Sequence, residues 1–239
     1  MTYIDGFVIA VPDANRQTFV DHARTIDPVF TELGALRVVE CWEDDVPDGK
    51  RTDFRRAVDL QEGERVAFSW IEWPDKATRD AGMAKTTEMM ATDPRMDPAK
   101  NPMPFDGARM IFGGFVPMLD EGGRDGTYVD GFLAAVAEDG RDAYLDHARK
   151  AAPIFAEYGA TRVVEAWGDD VPDGKRTDFR RAVAAEAGER VVFSWIAWPD
   201  KETRDAGWAK MMGDERMAGP MPFDGARMVY GGFRPVVEF

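Results

Sequence analysis

Four acidic residues stand where a carboxylate could do chemistry: Asp5 and Glu40, and their counterparts Asp130 and Glu165. Each falls on a segment with strand-like alternation, beside Tyr3, Phe7 and Trp42 in the first half and Tyr128, Phe132 and Trp167 in the second. A carboxylate among aromatic rings loses water, and its proton affinity rises. It can then serve as a general acid or base near neutral pH. The structural alternative is that each carboxylate is paired, as buried charges ordinarily are, with Arg109 and Arg227 or with Arg37 and Arg162. Trp70 and Trp195 complete an aromatic set that could stack on a flat ligand or simply form core. The expected pocket gathers these carboxylates and rings, with Arg109 and Arg227, between two sheets. No serine-histidine-acid set or nucleophile signature occurs, so the catalytic residues are unassigned.

Other clusters carry weaker signals. Asp44, Asp45, Asp48 and Asp53 suggest calcium, but their spacing is not that of an EF-hand loop, and Lys50, Arg51, Arg55 and Arg56 neutralise them. A turn with surface ion pairs is the expectation. Thr52-Asp53-Phe54-Arg55-Arg56 recurs as Thr177-Asp178-Phe179-Arg180-Arg181, which leaves Arg55 or Arg180 as a lesser candidate for gripping an anion. His22 and His147 are equivalent, and one histidine per half is too few for a zinc site. No metal and no cofactor is expected.

The elements that would position these residues come twice. Tyr3-Ile4-Asp5-Gly6-Phe7 answers to Tyr128-Val129-Asp130-Gly131-Phe132, an offset of 128 − 3 = 125, and Phe68-Ser69-Trp70 to Phe193-Ser194-Trp195 at the same offset. The offset falls to 121 at Arg95-Met96 and to 118 at Pro104-Phe105-Asp106-Gly107, which marks loop deletions after the second helix. The expected organisation is a repeat over 1–119, a glycine-rich linker over 120–126 and a second repeat over 127–239.

Within one repeat, Tyr3 to Val11 alternates as a strand, with Tyr3, Asp5 and Phe7 on one side and the small residues Ile4, Gly6, Val8 and Ala10 on the other. Phe19, Ala23, Ile26, Phe30 and Leu33 recur at helical spacing up to Gly34, and Pro28 should bend or interrupt that helix. Ala35 to Glu43 and Arg65 to Trp73 read as strands, Asp75 as the cap of a helix toward Met90, and Gly107 to Phe115 as a fourth strand. The order β-α-β-β-α-β is the ferredoxin-like motif, an α+β unit with both helices on one face of an antiparallel sheet. The small side of the first strand is expected under the helices, and the aromatic and acidic side against the other repeat. Two such sheets closing on each other make an intramolecular dimeric α/β barrel, a pseudo-dimer in one chain, and leave further oligomerisation open.

The runs Tyr3 to Phe7, Gly34 to Trp42, Asp45 to Lys50, Thr52 to Arg56, Phe68 to Pro74 and Met103 to Gly107 resemble the YbaA-like family, a bacterial domain family of unknown function (unknown-function family 1428). The resemblance covers both repeats almost end to end. It implies a dimeric α/β-barrel fold that two chains usually build together, and it supplies no catalytic residue to carry over. That superfamily includes cofactor-free monooxygenases, haem-handling enzymes and isomerases, and a shared fold does not transfer an activity.

A formal net charge of −14 over 239 residues argues against general nucleic-acid binding or an anionic membrane surface as partners. Cys41 is the single cysteine and Ala166 its counterpart, so chemistry common to both repeats does not use a thiol. No stretch reaches membrane-spanning length, and the N-terminus lacks signal-peptide character, which makes the cytoplasm the expected location. The expected function is binding of a small molecule in a cavity between the repeats. The alternatives are a cofactor-free enzyme with a carboxylate acid or base, and a structural or protein-interaction module without a pocket.

Overall fold

The computed structural model describes residues 2–123 and 126–239. The first repeat contains strand β1 (Tyr3–Pro12), helix α1 (Arg16–Glu32), β2 (Arg37–Asp45), the short α2 (Phe54–Ala57), β3 (Glu64–Trp73), α3 (Lys76–Met89) and β4 (Ile111–Gly122). The second contains β5 (Tyr128–Ala137), α4 (Arg141–Glu157), β6 (Arg162–Asp170), α5 (Phe179–Ala182), β7 (Glu189–Trp198), α6 (Lys201–Met211) and β8 (Val229–Glu238). Aspartates cap α2, α3, α5 and α6 through their side chains, whereas α1 and α4 start without a side-chain cap. Asp75 accepts from the Thr78 amide at 2.7 Å, and Asp53 accepts from the Arg56 amide at 2.7 Å to start α2, a helix absent from the sequence expectation.

Contrary to expectation, α1 runs unbroken through Pro28. One lost hydrogen bond near its C-terminal end is outweighed by packing on both sides of the proline, where Asp27 and Val29 are buried. The sheet-facing stripe passes through Phe19, Ala23 and Asp27, with Asp27 more deeply buried than Ile26. Strand β4 extends to Gly122, into the segment read as linker; Arg124 and Asp125 of that segment lie outside the described residues.

All strand pairs are antiparallel, and the eight strands close into one ring in the order β1-β3-β2-β8-β5-β7-β6-β4. Moving four places round this ring exchanges the repeats, so the relation between them is a pseudo-twofold. The seams are β2 with β8 and β4 with β6. Closure removes the open edges that each four-stranded sheet would otherwise present.

The faces of β1 and β2 are the reverse of the sequence expectation, whereas Phe68 and Trp70 of β3 lie between the repeats as expected. Ile4, Val8 and Ala10 point into the barrel with Phe68, Trp70, Phe193 and Trp195, whereas Tyr3, Phe7, Ile9 and Trp42 lie in the layer under the helices. Ring size explains the choice. Large rings on β3 and β7 meet at the pseudo-axis: Phe68 stacks on Phe193 at 4.7 Å, and Trp70 on Trp195 at 4.5 Å. They need small neighbours. A Cβ on Gly6 would come within 2.7 Å of the Phe193 ring, and one on Gly131 within 2.9 Å of Phe68. The small side of β1 therefore faces inward to make room for rings from the opposite repeat.

One end of this aromatic column is covered by charge. Arg162 grips Glu72 with two nitrogens at 2.8 and 3.0 Å, and Arg37 approaches the same carboxylate at 3.6 Å. Their guanidinium groups lie over Trp195 and Trp70 at 5.5 and 5.9 Å. Outside the barrel the seams are tied symmetrically. Tyr3 donates to Asp169 and Tyr128 to Asp44, while Arg79 pairs with Asp170 and Arg204 with Asp45.

Candidate functional site

Strand register places Glu40 beside Ser69 and Ser69 beside Phe7, in one row across the helix-facing side of the first sheet. Ser69 donates to Glu40 through a short hydrogen bond. Above this row α1 brings Asp27, which is 4% exposed and whose Oδ2 finds no hydrogen-bond partner among the described residues. Two acids thus share a layer made otherwise of apolar and aromatic groups. Burial, and then the charge of Glu40, push the Asp27 carboxyl up to about 9. Burial pushes Glu40 up to about 7, against the hydrogen bond from Ser69. Both carboxyls are thus pushed toward the protonated form, so the pair as a unit can retain a proton near neutral pH.

The second repeat keeps the row and changes what stands over it. Glu165 accepts from Ser194 in a short bond and from the Tyr144 hydroxyl at 2.7 Å. At the offset of 125, Tyr144 replaces Phe19 and Ala152 replaces Asp27. The added hydroxyl satisfies the glutamate just where the second acid has been removed. A further difference lies beside Asp130, which accepts from both Trp198 and Trp208, at 2.9 and 2.7 Å. Trp208 stands where the first repeat has Met83, so Asp5 has only the Trp73 indole as an aromatic donor, at 2.9 Å.

The residues expected in a single pocket are divided among three places. Tyr3, Asp5, Phe7, Glu40 and Trp42, with Tyr128, Asp130, Phe132, Glu165 and Trp167, lie on the helix side of their own sheets. Trp70 and Trp195 lie inside the barrel, stacked on each other. Arg109 and Arg227 pair neither with Asp5 nor with Glu40. Arg109 forks onto Glu64, with both bonds at 2.6 Å, and Arg227 onto Glu189, with both at 2.7 Å. The partners of Asp5 and Asp130 are Arg79 and Arg204 from α3 and α6, each at 2.8 Å. Burial raises the pKa of Asp5, opposed by Arg79 and Trp73, which makes Asp5 a structural anchor rather than a free base. Asp27 was missed although its signal was present: an acid four residues after Ala23, on the apolar stripe of α1.

The carboxylates read as a calcium alternative serve other ends. Asp44 binds Arg234, Lys201 and Tyr128 of the second repeat, and Asp53 caps α2. A hollow of about 220 Å³ does lie between the repeats, outside the barrel wall. Met110, Phe112 and Ala108 of the first repeat and Pro172, Lys175 and Asp178 of the second line it. Among the described residues, no helix is long and apolar enough to cross a membrane.

Comparison with solved structures places the fold. An anthrone oxidase-like protein superposes with a TM-score of 0.57 over 100% of this chain and 92% of its own, at 12% identity. A Lactobacillus acidophilus protein named as a candidate monooxygenase gives 0.56 over 99% and 95%, at 9% identity. Likeness at this level concerns the fold alone, the dimeric α/β barrel. In sequence, YbaA of Escherichia coli K12, an uncharacterised protein, is 60% identical over 114 residues, which span 46% of this chain and 97% of YbaA. The family model "Protein of unknown function (DUF1428)" matches residues 2–107 and again 127–225. With both repeats matched and one YbaA length fitting into about half the chain, the protein belongs to the DUF1428 family and carries that family's domain twice.

Proposed function

We propose that the chain binds a small polar molecule over the first repeat's sheet and moves a proton on it, with Glu40 as base and Asp27 as acid. The observation that carries this reading is the unpartnered carboxyl oxygen of Asp27 beside a glutamate of raised pKa. A buried polar atom without a partner is costly, and sequences keep such groups where a ligand completes them. Glu40 would take a proton from the bound molecule while Asp27 returns one to a second position, so the pair ends with its protons exchanged and no redox partner is needed. The chemistry would belong to the first repeat, because the second replaces the acid pair by Tyr144 and Ala152. The acidic chain makes a free metabolite in the cytoplasm a better partner than a nucleic acid.

Titration of the pair tests this directly. Both acids hold protons more tightly folded than unfolded, so their contribution to stability falls as pH rises from the ordinary carboxylate range through about 7 and about 9. Asp27→Asn is therefore expected to be more stable than the parent at pH 8, with the difference closing toward pH 4. Urea unfolding across pH, with carbon-13 carboxyl shifts for both side chains, reads this out. If both carboxyls are ionised by pH 6, the pair is not an acid-base couple and the reading is lost.

Capture of a ligand without chemistry is a second reading, favoured by the hollow between Phe112 and Lys175. Under it, thermal stabilisation by small molecules would be lost in Lys175→Ala and retained in Glu40→Gln.

A further inference from the structure

The loop after the second helix differs between the repeats in a way that opens a cavity. In the first repeat the His22 ring nitrogen Nδ1 is bonded to Asn101 Oδ1 at 2.9 Å, and the Asn101 amide nitrogen is anchored on the Arg95 carbonyl at 3.0 Å. Aligned on Pro104 and Pro222, Asn101 corresponds to Gly219, since 222 − 104 = 118 and 101 + 118 = 219. The segment is also three residues shorter between the equivalent arginines Arg95 and Arg216 and these prolines. The second histidine thus loses its amide partner. In its place lies a cavity of about 220 Å³, lined by His147, Lys150, Arg216 and Gly219 among others. Lys150 stands where the first repeat has Thr25, so a cation has been added where an acceptor was taken away.

We propose that this cavity binds a small anion, a carboxylate or phosphate group, whose oxygen takes the place of the Asn101 side-chain oxygen at His147 while Lys150 supplies the balancing charge. Three observations support it. Neither the His147 ring nor the Lys150 ammonium has a hydrogen-bond or ion-pair partner among the described residues. Arg216 on the far wall is already held by Asp214 and Glu157, at 2.6 and 2.8 Å, so it shapes the wall without being drawn into the centre. Burial lowers the pKa of both histidines, but His22 has the Asn101 bond working against it, whereas at His147 the charge of Lys150 adds to the depression. In the first repeat the protein's own amide oxygen fills the equivalent position.

The two histidines of the chain make the test internal, because His22 is the occupied control. The probes are inorganic phosphate and succinate, added separately at constant ionic strength to the full-length protein while the imidazole resonances of both histidines are followed by NMR. Saturable shifts of His147 with His22 unmoved are expected, and the tighter of the two probes identifies phosphate or carboxylate. Lys150→Thr and Gly219→Asn each restore the first repeat's residue and should weaken binding by about tenfold or more, as loss of a charge-assisted contact does. Equal drift of both histidines, no saturation with either probe, or binding unchanged in both variants would overturn the site. Lys150→Thr is a surface change on α4, so unchanged thermal unfolding there separates loss of binding from loss of fold; Gly219 sits at φ 148°, so Gly219→Asn counts only if its thermal unfolding also matches the parent's.

Discussion

Glu72→Ala is expected to destabilise the protein by about 3–5 kcal/mol, the range for removing one partner of a buried ion pair. Two arginines, Arg37 and Arg162, converge on this one buried carboxylate at the end of the aromatic column. They descend from equivalent positions, yet the equivalent of Glu72 is Ala197. The pseudo-axis explains the arrangement: two arginines related by the axis meet on one shared carboxylate, while each also holds a partner of its own, Asp120 for Arg162 at 2.8 Å and Glu238 for Arg37 at 2.7 Å. That geometry gives a sharper test than the loss alone. In the double variant Glu72→Ala with Ala197→Glu, the carboxylate arrives from the other repeat, and most of the stability should return. Urea unfolding of the parent, single and double variants measures both numbers, and failure of the double variant to recover any stability would refute the axial arrangement. Burial works against the charge on Glu72, but Arg162, Trp70 and Arg37 outweigh it and hold its pKa below the usual range. The parent's advantage over Glu72→Ala should therefore be full above the unfolded carboxylate range and shrink as the pH is lowered below it.

Trp195→Ala is expected to cost about 3–5 kcal/mol, as large-to-small changes of buried aromatics do. The ring is fully buried, stacked on Trp70 at 4.5 Å and placed edge-on to Phe193 at 6.1 Å. The strands of both repeats close around this column, so the core belongs to neither repeat alone. The loss should appear as one cooperative transition at lower urea, followed by tryptophan fluorescence and far-ultraviolet circular dichroism together. Trp70→Ala should match it, and the pair should fall short of additive because each variant already removes the same stack. Two separated transitions in the parent protein would mean that the repeats unfold independently and would contradict a shared core.

Much of this molecule was legible in its residues. The duplication at an offset of 125 dictated two like units, the order of elements dictated ferredoxin-like sheets, and Asp75 marked the start of α3. Periodicity also separated the two sides of β1 correctly, with Tyr3, Asp5 and Phe7 on one and Ile4, Gly6, Val8 and Ala10 on the other. Which side faced inward was not legible. Alternation has no sign, and the deciding fact was a contact between residues 187 positions apart, the ring of Phe193 over the missing side chain of Gly6. The same limit applies to the candidate site. Glu40 stood out as an acid on an aromatic strand, but its partner Asp27 comes from a helix, through packing that Pro28 seemed to forbid. Local sequence thus determined the elements and the residues able to do chemistry, because capping, periodicity and repetition act over a few residues or by direct comparison. Only the tertiary structure decided which of those residues meet, because closing the ring made volume at the pseudo-axis the scarce quantity and turned the small sides of β1 and β5 inward to suit it.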